Sequence, residues 1–229
     1  MNTSNKQFVN VDLGDRSYPI IIGEEIIKEA SQLIAPLQLG KKKIIVTDQN
    51  LAGTHLISLR EALKNGGHDT AEIILKSGEQ TKSISEFSLL INSILELGID
   101  RETCLIALGG GVVGDIAGFA ASTVLRGINL VQIPTSLVAQ VDSSVGGKTA
   151  INTPQGKNLV GTFYQPRLVI ADIGSLKTLP IRELLSGYAE IVKYGLLGDA
   201  TFFEWLEEHG PKIISGNPVA QAKAVATSC

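Results

Sequence analysis

The chain has 229 residues, 44% of them hydrophobic, and a formal net charge of −3. That length suits one full α/β domain plus part of a second, and the apolar share excludes a disordered chain. From the acidic balance, the polar residues 1–10 and the lack of a long apolar run, no nucleic-acid partner, secretory leader or membrane span is expected; with only Cys104 and Cys229 present, a reducing cytoplasm is the expected setting.

In chain order, residues 7–13 and 18–22 read as strands that pair nearby. Residues 24–37 have helical spacing, with Ile26, Ile27, Ala30, Leu33 and Ile34 on one side. Residues 44–48 form a buried parallel strand, 51–65 a helix closed by Gly66-Gly67, and 71–75 a strand. The helix over 83–97 has Ser83 as N-cap, Glu86 completing a capping box and Gly98 as its stop. A strand follows over 104–108, a helix opens at Gly114, and strands follow over 129–133 and 168–171. After Leu179-Pro180 come three helices without an intervening strand, over 181–197, 200–208 and 218–226. The alternation predicts an α/β fold with a parallel sheet over residues 1–180, followed at 181–229 by the beginning of an incomplete, all-α domain.

Leu105-Ile-Ala-Leu-Gly-Gly-Gly-Val-Val-Gly-Asp115 is the most informative stretch. Gly109, Gly111 and Gly114 fit G-x-G-x-x-G between a strand and a helix. In that reading the first glycine permits a tight turn, the second lets a pyrophosphate approach the backbone, and the third lets the helix sit close to the strand. The prediction is a Rossmann-like NAD-binding domain. No Asp or Glu lies between Ile116 and Val141, where the ribose-binding acid normally stands; Asp48, followed by Asn50, ends an earlier strand and serves instead if the two strand ends are neighbours. Ser77-Gly-Glu-Gln-Thr-Lys82 offers Glu79 and Lys82 at a further strand end.

Gly147-Lys148-Thr149 is not a phosphate-binding P-loop, because the first glycine of that motif would fall at Asp142. What remains is a loop carrying Asp142, Lys148, Lys157 and Asn158, with Arg126 upstream; these cations near a dinucleotide suit a second anion, a phosphate or carboxylate. Glu190 and Lys193 share a helical face, as an ion pair or with Glu190 as a metal ligand. His55, His68 and His209 have no ligand spacing and read as ordinary surface residues.

Taken together, these stretches and Pro134-Thr-Ser136, Phe163-Tyr-Gln-Pro166 and Gly187-Tyr-Ala-Glu-Ile-Val-Lys-Tyr194 resemble the 3-dehydroquinate synthase family of sugar-phosphate cyclases, from about Asp48 to Gly195. The resemblance implies a lyase of the shikimate pathway that turns a phosphorylated seven-carbon keto sugar acid into 3-dehydroquinate and phosphate. It implies catalytic NAD, a divalent metal (zinc or cobalt), a helical domain for metal and substrate, and a homodimer. Carried over by motif, NAD contacts are Asp48, Asn50, Glu79, Lys82, Gly110, Gly111, Val112, Asp115, Thr135, Ser136, Lys148, Lys157 and Thr178. Asp142, Lys148, Lys157, Asn158, Lys193 and Arg126 hold substrate, Arg126 from a neighbouring subunit, and Glu190 binds metal. The family's two metal-binding histidines have no counterpart before Cys229, so the chain resembles a first domain plus the opening helices of a second. By itself it is expected to show little or no synthase activity. Rival readings are another sugar-phosphate cyclase, a metal-dependent polyol dehydrogenase, which the cations argue against, and a non-catalytic NAD-binding module.

Overall fold

The structure, a computed structural model, describes residues 6–229, so the expectation for residues 1–10 falls partly outside the described residues. Seven strands form one sheet in the order β1-β2-β9-β6-β5-β3-β4. They are β1 (Gln7–Val11), β2 (Tyr18–Gly23), β3 (Lys42–Asp48), β4 (Asp69–Leu75), β5 (Cys104–Gly109), β6 (Asn129–Pro134) and β9 (Leu168–Asp172). Only β1, on the edge, is antiparallel to its neighbour. The interior strands are apolar on both sides, as parallel strands covered on two faces must be.

Alternation within each strand separates those faces. Ile45, Ile106, Val131 and Ile170 pack on α1 (Ala30–Ile34) and α2 (His55–Asn65). On the other face, Ile44, Leu105, Ala107 and Leu130 pack on α3 (Ile84–Glu96) and α4 (Gly111–Thr123). Ile20, Ile22, Val169 and Ala171 face the same way as Ala107, through the register Val169↔Gln132↔Ala107. They are covered by α5 (Ile181–Gly198), α6 (Ala200–Ile214) and α7 (Pro218–Ser228). Each buried Ile, Leu or Val here stabilises the fold by roughly 1.5–3 kcal/mol. Leu196 and Leu197, at the end of α5, stay 67% and 76% exposed. Among the described residues no helix is long and apolar enough to cross a membrane.

Several boundaries differ from expectation, for identifiable reasons. The helix expected over 24–37 is broken into 3-10 turns on either side of α1: before it Glu25 is left-handed (φ 59) and Glu29 leaves helical angles, and after it Pro36 has no N–H to continue the ladder. α2 starts at His55, not Leu51: the Asp48 carboxylate accepts the Asn50 N–H at 2.8 Å and turns the backbone away from a helix. Ser83 caps α3, but Glu86 reaches Lys76 and completes no capping box. α4 opens at Gly111, since the Gly114 N–H already donates to the Gly110 carbonyl. α6 runs on through Pro211 to Ile214; Gly210 lies beneath Tyr188, whose hydroxyl a Cβ would meet at 2.2 Å. The loop expected around Lys148 and Lys157 is instead a hairpin of β7 (Lys148–Thr153) and β8 (Gly156–Phe163) lying against α4. Pro154 and Gly156 marked a turn, but β8 after it shows no alternation to mark a strand.

Candidate nucleotide and anion site

The chain passes from β4 back across β3 to β5, so β3 and β5 flank the point where strand order reverses. Ligands of open parallel sheets bind in the crevice at the carboxyl ends of such strands. Asp48 ends β3 and Gly109 ends β5, each two residues beyond the pair Val46↔Ala107. The acid missing after the glycine turn is thus supplied laterally, by the neighbouring strand.

The glycines act through space rather than backbone angle. None of Gly109, Gly110, Gly111 and Gly114 has a positive φ, so the tightness of the turn comes from the missing side chains rather than from left-handed backbone. A Cβ on Gly109 would lie 2.5 Å from Val113 Cβ, and one on Gly114 3.0 Å from Gln132 Oε1 of β6. At Gly111 it would lie 3.1 Å from Ser143 Oγ, filling the cradle at the start of α4. The first-turn N–H groups there, Gly111 and Val112 among them, have no carbonyl partner within the helix and carry the positive end of its dipole. The Thr47 and Ser77 hydroxyls, beside this crevice on β3 and after β4, are buried without a hydrogen-bond partner. An open cradle, orphaned hydroxyls and Asp48 together fit a dinucleotide.

Around it stand the polar residues. Lys82, almost fully buried, pairs with Asp115 on α4 and donates to Asn158 Oδ1 at 2.5 Å. Burial pushes the Asp115 carboxyl up despite that cation. Burial also raises the Glu79 carboxyl, but the Asn152 amide, Lys82 and Lys157 outweigh it and hold the group below the usual carboxylate range. Thr135 donates its backbone N–H to the Gly109 carbonyl at 3.0 Å, and Ser136 Oγ accepts the Ala139 N–H at 3.3 Å. Thr178, in the helical turn Ile173–Thr178 after β9, bonds His55 at the start of α2 across 3.2 Å. His55 is therefore partly buried and tied to the turn after β9, not an ordinary surface residue; burial holds its imidazole below the usual range.

A π-helical turn, Ala139–Ser143, carries Asp142, which accepts from Lys148 at 2.6 Å. Buried Gln140 fixes that turn, its Nε2 donating to the carbonyls of Pro134 (3.2 Å) and Asp172 (2.9 Å). On α5, Glu190 pairs with Lys193, and the neighbouring Tyr194 phenol is pushed up by burial, then by Asp142 and Glu190. A cavity of about 450 Å³ joins Asp115, Asp142, Lys148 and Asn158. Arg126 does not line it: it follows the far end of α4, about 20 Å of helix from the glycine turn, at φ +67. Within one chain, then, Arg126 does not join the lysines around the anion space. Glu190 is one carboxylate, and among the described residues no three His, Cys, Asp or Glu side chains come together, so these residues alone do not fit a catalytic zinc. Gln140 and Asn152 were missed by sequence reading; both are uncharged, and their roles arise from contacts distant in the chain.

The family described as 3-dehydroquinate synthase N-terminal matches residues 72–186, half of the chain, including the glycine turn and the hairpin. The chain belongs to the 3-dehydroquinate synthase family. A 3-dehydroquinate synthase of Rhodospirillum rubrum is 52% identical over 221 residues, 96% of this chain and 57% of that protein. Curated relatives of this kind are matched over 57–60% of their own length. Among solved structures, a 2-epi-5-epi-valiolone synthase of Streptomyces hygroscopicus subsp. jinggangensis, with NAD+ and Zn2+ bound, superposes with TM-score 0.86 at 28% identity, over 95% of this chain and 61% of that one. A 2-deoxy-scyllo-inosose synthase complexed with carbaglucose-6-phosphate, NAD+ and Co2+ gives 0.78 at 27%, over 96% and 62%. Iron-containing alcohol dehydrogenases, at 20% identity, share the fold alone.

Proposed function

We propose that this chain is the nucleotide-binding portion of a 3-dehydroquinate synthase, which converts a phosphorylated seven-carbon keto sugar acid to 3-dehydroquinate and phosphate. The observation that carries the reading is the meeting of Asp48 and the glycine turn on adjacent strand ends, beside a cavity that joins Lys148, Asp142 and Asn158. Asp48 and Asn50 hold ribose hydroxyls, and the N–H groups of Gly110, Gly111 and Val112 hold the pyrophosphate. Glu79, Lys82, Asp115, Thr135, Ser136 and Thr178 line the rest of the cofactor. When bound, NAD supplies a reversible hydride acceptor for a substrate hydroxyl. Lys148, Lys157, Asn158 and Lys193 bind and orient the anionic substrate, and Asp142 holds Lys148 in place.

Glu190 is this chain's contribution to a divalent metal, zinc or cobalt. Arg126 serves the site of a second copy in a homodimer, which would account for its distance from its own lysines. A division near Pro180, between an NAD-binding domain (1–180) and the start of a helical domain (181–229), follows the end of the strand–helix alternation at β9. A cytoplasmic setting accords with the free thiols of Cys104 and Cys229.

A different sugar-phosphate cyclase is the second reading, favoured by the likeness to the valiolone and inosose synthases. Incubating the protein that carries this chain with NAD and the keto sugar phosphate separates the readings. Phosphate release matched by 3-dehydroquinate supports the first. No turnover of that substrate, with turnover of a hexose or heptulose phosphate, points to the second. NAD binding with no phosphate release from any of them points to a non-catalytic module.

A further inference from the structure

The β7–β8 hairpin slips register between the pairs Ile151↔Val160 and Thr153↔Gly156, where β7 advances two residues and β8 four. The surplus on β8 is a bulge containing Lys157 and Asn158, and Asn158 adopts φ +58, left-handed backbone in a non-glycine residue. Opposite it stands Asn152. Its backbone N–H donates to the Lys82 carbonyl at 2.7 Å, its Nδ2 donates to Glu79 Oε1 at 2.9 Å, and its Oδ1 accepts the Asn158 N–H at 2.9 Å. The Asn158 side chain then accepts from Lys82, closing a ring between the 79–82 loop and the bulge. The amide satisfies both side-chain partners from separate atoms: the carboxylate accepts from its Nδ2 and the N–H donates to its Oδ1, whereas an aspartate there would offer acceptors alone.

The hairpin does not depend on Asn152 for its place. Thr149 lies against Gly118, and Thr162 donates to Ser122 at 2.9 Å, both on α4. What Asn152 adds is the alignment of one loop with the other.

We propose that Asn152 is a positioning residue that couples the nucleotide crevice to the anion cavity. It holds the bulge so that Lys157 meets Glu79 and Asn158 meets Lys82; filling either half then orders the other, and the two bindings reinforce each other reciprocally. The proposal rests on the nucleotide reading above.

The test is calorimetry of NAD into the 229-residue chain, with and without saturating inorganic phosphate, for the wild type, Asn152→Ala and Asn152→Asp. The wild type should bind NAD roughly fivefold or more tightly with phosphate present, at the low end of ordinary coupling. In both variants that ratio should fall to near one, whatever happens to either affinity alone; a merely structural role would weaken both bindings and leave the ratio. A wild-type ratio of one, or a wild-type ratio preserved in Asn152→Ala, overturns the proposal. If the wild type binds no NAD, the nucleotide reading fails, and deuterium uptake decides the coupling separately. Asn152→Ala should then raise exchange in residues 79–82 and 156–161 together, with α4 unchanged. A rise in one segment only, or in neither, overturns the proposal.

Discussion

The two halves of the site are built by different forces. The glycine turn is held by exclusion: Gly109 and Gly118 let Val113 and Thr149 approach to distances that a Cβ would forbid, and α4 is buried along most of its length. The β8 strand opposite is exposed at seven of its eight positions and is aligned by polar bonds to Glu79, Lys82 and Asn152. Close packing has one solution and resists change. Aligned polar groups on an exposed strand can be shifted without unfolding the protein, which suits the half that must admit a substrate.

Substitutions at the seam between the halves should have the largest effect. Lys82→Met leaves the buried Asp115 carboxylate without its cation; breaking such a pair costs about 3–5 kcal/mol. Chemical denaturation should show that loss, and NAD binding should vanish with it. Gly109→Ala attacks the packed half alone and should cost about 1–3 kcal/mol of overpacking, read as a lower denaturation midpoint at unchanged slope.

Changes in binding preference come next. Asp48 should repel a 2′-phosphate, so NADP should bind roughly tenfold or more weakly than NAD. Asp48→Asn should narrow the gap, and equal affinities in the wild type would remove Asp48 from the ribose. Lys148→Ala attacks the exposed half alone: inorganic phosphate should bind roughly tenfold more weakly, a larger loss than any in NAD affinity, while stability holds. A selective loss of NAD affinity would reverse that assignment.

The smallest effect concerns pH. Burial lowers the His55 and His68 imidazoles, so the unfolded chain binds more protons than the native one between their depressed values and about 6.5. Stability should therefore be complete above that range and decline as pH falls through it. His55→Asn should flatten part of the decline in thermal melts from pH 7.5 to 5.5, and an unchanged slope would show that His55 is as solvated as in the unfolded chain.

The parallel sheet and the glycine turn could be read from the sequence because both rest on local pattern: apolar runs such as Ile44–Val46, and glycines spaced between a strand and a helix. Asp48 was identified as the candidate acid, but its place beside Gly109 depends on strand order, which periodicity does not encode. The hairpin was missed because β8 is exposed nearly throughout and lacks the alternation that marks a half-buried strand. Arg126 was grouped with the lysines by nearness in sequence, yet α4 carries it to the opposite end. Asn152 and Gln140 left no signal at all, since neutral amides become informative only when their partners are in place.

The central claim is that NAD lies in the crevice between β3 and β5. Deuterium exchange of the chain with and without saturating NAD tests it most directly. The account predicts slower exchange in residues 48–54 and 109–115, with no change around the cavity between Asp15 and Arg167 at the start of β6, the opposite end of the sheet. Protection at that opposite end instead, or none anywhere, would contradict it.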